Sequence, residues 1–394
     1  MNTLRPTSLD ALRDAVSWAL ADKVPLELIG SGTKRAIGRP VEAETMLDLS
    51  GLAGIGLYEP AELVMSAGAG TSLAEIEAVL AASGQRFGFE PPDYALLLGG
   101  EPGRQTLGGI VAANLAGSRR LSAGAARDHV LGFNAVSGRG EAFKSGGRVV
   151  KNVTGYDLSK LICGSWGTLA ALAEITLKVL PRPEAETTLL LHGLEAPQAV
   201  AAMSRALGSP QEVSAAAWLP AGLAGGIGQG GSVTALRVEG LAGSVRFRAD
   251  ALLQLFERVD ETRIEAEASA ALWRTIGNAE PLAAEPASHL IWKISVPPSA
   301  GPSVLAACGD ANGFLDWGGG LVWCATGVDN ALTLRQTVAR LGGHATLIRA
   351  PAAIRVASEV FEPLTGALGA LTRRVKQGFD PEALLNPGRL YAGV

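Results

Sequence analysis

Gly99-Gly-Glu-Pro-Gly-Arg-Gln-Thr-Leu-Gly-Gly-Ile-Val-Ala-Ala-Asn114 is the stretch around which the rest of the chain is organised. Glycines surround a Thr-Leu-Gly-Gly step, which leads into a small-residue run ending at Asn114. Glycine reaches positive φ without steric penalty and lets backbone N–H groups approach a ligand closely. Further loops of this kind follow at Lys151-Asn-Val-Thr-Gly-Tyr-Asp-Leu-Ser-Lys160 and Cys163-Gly-Ser-Trp-Gly-Thr-Leu169. The region closes on the strand-like Leu172-Ala-Glu-Ile-Thr-Leu-Lys-Val-Leu180. Several glycine loops in so short a span point to one large, phosphate-bearing ligand wrapped by backbone.

Upstream, Pro25-Leu-Glu-Leu-Ile29 reads as a buried strand that delivers the chain into Gly30-Ser-Gly-Thr-Lys-Arg35. There the amides of Ser31 to Lys34 can cradle an anion, with Lys34 or Arg35 adding charge. Two other nucleotide folds are set aside. The G-x-x-x-x-G-K-[ST] loop is absent, and no strand–GxGxxG–helix unit is followed by an acidic residue about 20 positions on.

The 394 residues suffice for two domains with sizeable cores. A net charge of −4 and the lack of a basic run exclude an electrostatic footprint for nucleic acid. Cys163, Cys308 and Cys324 form no C-x-x-C and read as buried small hydrophobes in a reducing compartment. The N-terminal Met1-Asn-Thr-Leu-Arg-Pro6 has no apolar secretory region. The one long uncharged window, Val213 to Leu236, holds Pro220 and a glycine cluster from Gly222 to Gly231, which break a spanning helix. Any membrane contact is expected through a partner.

Thr7 and Asp10, three apart like a capping box, precede Leu9, Leu12, Val16 and Leu20 at helical spacing and predict a helix over 8–21. Short strands are expected at Thr45–Leu49 and Leu63–Ala67, and a helix over Leu73–Ala82. His129, in the strand-like Arg127–Val136, reads as a hydrogen-bonded structural histidine. Pro181-Arg-Pro183 marks a boundary, after which the pattern repeats. The first copy is strand 187–192, helix 196–207, strands 213–219 and 232–239, and helix 244–259. The second is strand 290–296, helix 303–308, strands 314–317 and 321–325, helix 330–341 and strand 344–349. Both read β-α-β-β-α, the split β-α-β pattern. A helical stretch over 352–376 then returns the chain.

Thr106-Leu-Gly-Gly109 with Asn114, Gly155-Tyr-Asp157, Gly164-Ser-Trp-Gly-Thr168 and Phe379-Asp-Pro-Glu-Ala-Leu-Leu-Asn-Pro-Gly-Arg389 together resemble the FAD-binding domain of the para-cresol methylhydroxylase and vanillyl-alcohol oxidase superfamily. Within it the chain is similar to the shorter FAD-binding (E) subunits of bacterial glycolate oxidases. The resemblance implies an α+β fold: a two-lobed PCMH-type FAD-binding domain over 1–183 and an antiparallel-sheet cap with ferredoxin-like β-α-β-β-α repeats over 184–350. A helical return and tail over 351–394 would pack on the FAD domain.

Carried over by the resemblance, the FAD contacts are Gly30, Ser31, Gly32, Thr33, Lys34, Thr106, Leu107, Gly108, Gly109, Asn114, Gly155, Asp157, Gly164, Ser165, Gly167, Thr168, Ile175 and Asn386. Thr106 and Ser165 would donate to phosphate or ribose, backbone near Ile175 would pair with adenine, and Asn386 would bring the tail back to the flavin. Relatives often attach FAD through a histidine in the first loop; Thr33 and Lys34 stand here, so FAD is expected to be non-covalent. Cys163 is read as packing, not as a flavin linkage.

A flavoenzyme oxidising a hydroxy acid needs a cation for the carboxylate and a base for the hydroxyl. His344 and Arg349, five apart on one strand, are the candidates, although that odd spacing puts them on opposite faces and favours structural roles. His129, His192, His289 and His344 show no H-x-H or H-x-x-x-H spacing, so no metal site is expected. Catalytic relatives, including the longer glycolate oxidase subunit, carry a His-rich motif that is missing here. The resemblance therefore implies a cytoplasmic complex, or one peripheral on the inner face of the membrane. In it a longer FAD-containing catalytic subunit and an iron–sulfur subunit would join this chain in oxidising glycolate to glyoxylate and passing electrons to quinone. A flavin-fold assembly scaffold and a self-sufficient FAD-dependent oxidase remain alternatives.

Overall fold

The computed structural model describes residues 2–148, 155–256, 259–309 and 312–393. Lys151–Thr154 of the quoted loop, and residues 257–258 of the helix expected to reach Val259, lie outside this range.

The N-terminal helix Leu9–Asp22 buries Leu12, Val16 and Ala19, one stripe at helical spacing. Its cap is Ser8, not Thr7: the Ser8 hydroxyl accepts from the Ala11 N–H at 3.1 Å. Lys23, at φ 55°, ends it. The stripe shares a core with a small parallel sheet of β1 (Asn2–Leu4), β2 (Leu26–Ile29) and β3 (Thr45–Asp48), ordered β1-β3-β2.

Next come β4 (Ile55–Glu59), which the sequence reading missed, β5 (Val64–Gly68) and the short β6 (Gln85–Arg86). They are followed by β7 (Val130–Ser137), β8 (Ala142–Gly146), β9 (Ala170–Lys178) and the short β10 (Leu180–Pro181). Five of these strands form an antiparallel sheet ordered β4-β5-β9-β7-β8, and β6 pairs with β10. The central β9 is buried on nearly every residue, as a strand covered on both faces must be.

The eight-stranded sheet carries the repeat. Its first half is β11 (Ala185–His192), β12 (Ala215–Leu219), β13 (Val233–Gly240) and β14 (Glu261–Glu265). Its second half is β15 (Leu290–Ser295), β16 (Gly313–Asp316), β17 (Leu321–Thr326) and β18 (His344–Arg349). The order β14-β11-β13-β12-β16-β17-β15-β18 places the halves as 4-1-3-2 and 2-3-1-4, mirrored about the β12–β16 seam. That seam has a single paired position, Trp218↔Leu315. The first copy thus has a closing strand, β14, and a further helix, Ala266–Gly277, that periodicity did not reveal. β14 is an exposed edge strand, Glu-Thr-Arg-Ile-Glu, whose charges suit an edge and conceal it from a hydrophobic reading.

Cys308 and Cys324, distant in sequence, meet in the core of the second copy with sulfurs 2.7 Å apart; all three cysteines are free and buried. The expected helix over 352–376 is two helices, Ala352–Ala357 and Gly366–Phe379, parted by a segment that contains Pro363. Among the described residues, no helix is long and apolar enough to cross a membrane.

Candidate functional site

The glycine loop after β2 opens a cavity lined by Gly30 to Arg35, Thr106, Gly109, Ala112, Trp166, Asn386 and Arg389. Gly30 is required by close approach, because a Cβ there would sit 2.3 Å from Thr106 Oγ1. Thr106 caps the short helix Leu107–Ala112 by accepting from the Gly109 N–H at 3.4 Å, which turns that helix start toward the loop. Gly108 lies against β5's end, where a Cβ would come within 2.9 Å of the Ala69 carbonyl. Leu107 is buried beneath as packing.

Lys34 supplies the charge. Its ammonium donates to Gln105 Oε1 at 3.1 Å and Thr33 Oγ1 at 3.4 Å, both neutral groups. Burial pushes its pKa down to about 8, with Asp93 pulling the other way. Arg35 instead folds back onto the buried Glu27, donating at 2.7 and 2.5 Å, and so fixes the loop.

The C-terminal tail assembles the two loops. Asn386 accepts from the Leu28 N–H at 2.8 Å and donates to the Trp166 carbonyl at 2.8 Å, joining β2 to the Gly164–Thr168 turn. Both its polar ends are therefore occupied by protein, and its role is positioning. Gly167, at φ 72°, leaves room for that amide: a Cβ would lie 2.8 Å from Asn386 Nδ2. Lys376 donates to the Thr168 carbonyl at 2.7 Å and pairs with Asp380 at 2.6 Å. Asp380 in turn accepts from the Leu384 and Leu385 amides at 2.9 and 2.8 Å. Arg389, absent from the sequence expectations although it ends the quoted motif, donates to the Lys34 carbonyl at 2.6 Å and stands over the Trp166 ring. Gln105, next to Thr106, was missed as well. The signal for both was adjacency to motif residues.

Buried polar atoms test whether a polyanionic cofactor fits. Ser31 Oγ, Gln105 Nε2, Ser165 Oγ and Arg389 Nε are buried without a hydrogen-bond partner among the described residues. Native interiors leave few such atoms, so a cluster of them around a glycine cradle and a buried ammonium fits a ligand rich in acceptors. Thr168, beside Ser165, is closed by its own bond to the Ser165 carbonyl.

Other expected contacts fall elsewhere. Asn114, at φ 48°, accepts from the Arg127 N–H at 3.0 Å and clamps a turn, with Gly164 against its Cβ. Gly155 and Asp157 lie on an exposed loop, where Asp157 caps the helix Leu158–Ile162 and pairs with Lys160. Ile175 is wholly buried in β9, opposite Ala67 on one side and Phe133 on the other, so its peptide lies within the ladders. The irregularity in β9 comes two residues earlier, where Ala173 has no opposite residue on β7. Ala173 and Glu174 line a second cavity of about 350 Å³.

The histidines sort plainly. His129 is buried, with Nε2 2.8 Å from the Ala123 carbonyl. His344 is exposed at the start of β18. Arg349, at its end, donates to the carbonyls of Leu97, Ala283, Glu285 and Pro286. A bulge at Ile348 breaks the alternation between His344 and Arg349, but the arrangement still does not bring the two side chains together.

Residues 2–146 match the family described as "FAD binding domain". The chain is 35% identical over 384 residues, 97% of each chain, to the glycolate oxidase subunit GlcE of Escherichia coli. It is 30% identical over 188 residues, 48% of this chain and 38% of the other, to the glycolate oxidase subunit GlcD of Bacillus subtilis. The structure superposes on 4-ethylphenol oxidase from Gulosibacter chungangensis with a TM-score of 0.73 at 12% identity, covering 99% of this chain and 89% of that one, which shows a common fold. The cofactor is FAD, the antiparallel eight-stranded sheet is the cap, and the chain belongs to the family of FAD-dependent oxidoreductases that includes glycolate oxidase subunit GlcE.

Proposed function

We propose that this chain is the FAD-binding subunit of a glycolate oxidase (dehydrogenase) complex that converts glycolate to glyoxylate. The observation that carries the cofactor's place is the cradle of Gly30 to Lys34 with its unpartnered Ser31, Gln105 and Arg389 atoms. Full-length likeness to GlcE supports the complex. When bound, FAD supplies the acceptor for the hydride of the oxidised alcohol. The Ser31–Lys34 amides and the Lys34 ammonium would hold its pyrophosphate, Thr106 and Ser165 its phosphate or ribose hydroxyls, and Arg389 would orient Trp166 at the cavity wall. With Thr33 and Lys34 in the first loop, binding is non-covalent.

The proposed division is FAD domain 1–183, cap 184–350 and returning tail 351–394. The partners are a longer FAD-containing catalytic subunit and an iron–sulfur subunit that passes electrons to quinone, in a cytoplasmic or inner-face peripheral complex. The separation of His344 from Arg349 favours this shared arrangement over a self-sufficient oxidase. Anaerobic spectroscopy of the purified chain, alone and with partners, tests it. Flavin that copurifies and bleaches with glycolate only in the complex is expected. A flavin-free chain would leave only the scaffold reading, and bleaching of the chain alone would make it self-sufficient.

A further inference from the structure

Two non-glycine residues with positive φ, Trp166 and Asn386, line the cavity after β2. Asparagine enters the left-handed region readily, whereas a bulky tryptophan there is an outlier. Trp166 takes φ 53° within Gly164-Ser-Trp-Gly167, whose glycines take φ 89° and 72°. A third glycine would fit this turn without strain, yet the chain places its largest side chain there.

Such strain persists only where surroundings enforce it, and Trp166 is held on several sides. Its N–H donates to the Ala112 carbonyl at 2.9 Å, and its carbonyl accepts from Asn386 Nδ2 at 2.8 Å. The ring packs on Phe361, 5.4 Å between centroids and tilted by 57°. The Arg389 guanidinium carbon lies 5.7 Å from the same ring's centroid. A ring that only filled space behind the loop would be buried; Trp166 stays half-buried at the cavity wall. Among the described residues lining that cavity it is also the one aromatic side chain. The glycine amides, Lys34 and Arg389 suit phosphate, and Trp166 alone offers a flat surface beside them.

We propose that Trp166 is a stacking platform for a flat heteroaromatic ring of FAD, adenine or isoalloxazine, next to the diphosphate. Both rings present a π-face, and stacking a nucleotide ring on an aromatic side chain contributes roughly 5- to 150-fold in affinity. The strained turn fixes the plane of the indole, and Phe361 and Arg389 keep it there. Trp166 is thus a positioning residue. This inference rests on FAD as the occupant of this cavity, and the test separates the two.

The full chain, freed of flavin, is titrated with FAD while flavin fluorescence reports binding, and ADP is added as a competitor. Trp166→Leu should weaken FAD binding at least about fivefold. Trp166→Phe, which keeps a flat ring at the same backbone angle, should restore most of it, with the two variants melting alike. Trp166→Gly, which the left-handed backbone favours, should lose FAD as Trp166→Leu does and serves if that variant fails to fold. A loss for FAD with ADP unchanged assigns the isoalloxazine to the platform, and a parallel loss for ADP assigns the adenine. FAD binding by Trp166→Leu equal to the parent chain's, or affinities that simply follow melting temperature across the variants, would overturn the platform. Full FAD binding by Gly30→Ala and Trp166→Leu alike would overturn the cavity as the cofactor's place; a loss at Gly30→Ala alone would overturn only the platform.

Discussion

Arg237 of the cap and Glu90 of the FAD domain meet through two parallel hydrogen bonds of 3.0 and 2.9 Å, with the guanidinium almost wholly buried. Trp273 covers the guanidinium at 5.0 Å. Glu239 sits close by, bridged to Arg86 at 2.9 Å and Arg119 at 2.8 Å. This network ties the domains together. Removing one partner leaves the other with neighbouring charges only, Arg237 with Glu239 and Glu90 with Arg86 at 3.7 Å, so Glu90→Gln or Arg237→Met should lower unfolding free energy by roughly 1–3 kcal/mol. Denaturant melts of the singles and the double variant check this; the double should lose less than the sum, and additive losses would show that the pair is not coupled.

Gly30→Ala should strip flavin from the chain, because the added methyl takes the position 2.3 Å from Thr106 Oγ1. The flavin-to-protein absorbance ratio is expected to fall at least about tenfold while the melting transition survives, since loop substitutions away from the core seldom unfold a domain. Retention of full flavin would remove the cradle from consideration.

Lys34 gives flavin binding a pH dependence with a defined sign. In the chain without ligand its pKa lies near 8, and a phosphate beside it favours the protonated form. Affinity should hold below pH 8 and weaken above it, by up to about tenfold per pH unit for one linked proton. Folding stability moves the other way: the buried ammonium is disfavoured, and that penalty is relieved as pH rises from about 8 toward the unfolded value of 10.5. FAD fluorescence titrations from pH 7 to 10 read the first effect, and Lys34→Met should flatten the profile.

The cysteines should be silent in the native protein. All three are buried, and burial pushes the Cys163 thiol up to about 12. Ellman's reagent should find no thiol before unfolding and three after. Fast modification of the native chain would contradict the packing of Cys308 against Cys324.

His344→Ala should leave glycolate-dependent flavin reduction within twofold of the parent complex, as an exposed residue outside the cradle's lining. Arg349→Ala should destabilise by roughly 1–3 kcal/mol through orphaned carbonyls, visible in melts. A large rate loss at His344 without a change in stability would instead restore it as a catalytic group.

The glycine loops were legible because close backbone approach leaves only one residue type that fits; Gly30 against Thr106 is such a case. The cap repeat was legible from alternating apolar strands and two helices per copy, and β18 falls at its expected bounds. What escaped was whatever carries no apolar period. The polar edge strand β14 is one example. Others are Gln105 and Arg389, whose importance lies in partners hundreds of residues away or on another loop. For Ile175 the strand was evident in the sequence, but its pairing with β5 and β7 on either side was not.

The mirrored cap has a mechanical corollary. Its halves share one paired position at the seam, Trp218↔Leu315, and the FAD-domain segment 90–94 touches both: Glu90 grips Arg237 in the first half, and Tyr94 packs edge-on against Trp323 in the second, 5.5 Å between centroids. Residues 90–94, together with Ser118 on Asp316 and Arg119 on Glu239, therefore act as rivets across the seam. A cap detached from its flavin domain would lose those rivets, and its two halves would be held together by their own packing alone, with Val200 and Leu207 of the first half against Gly319 and Gly318 of the second.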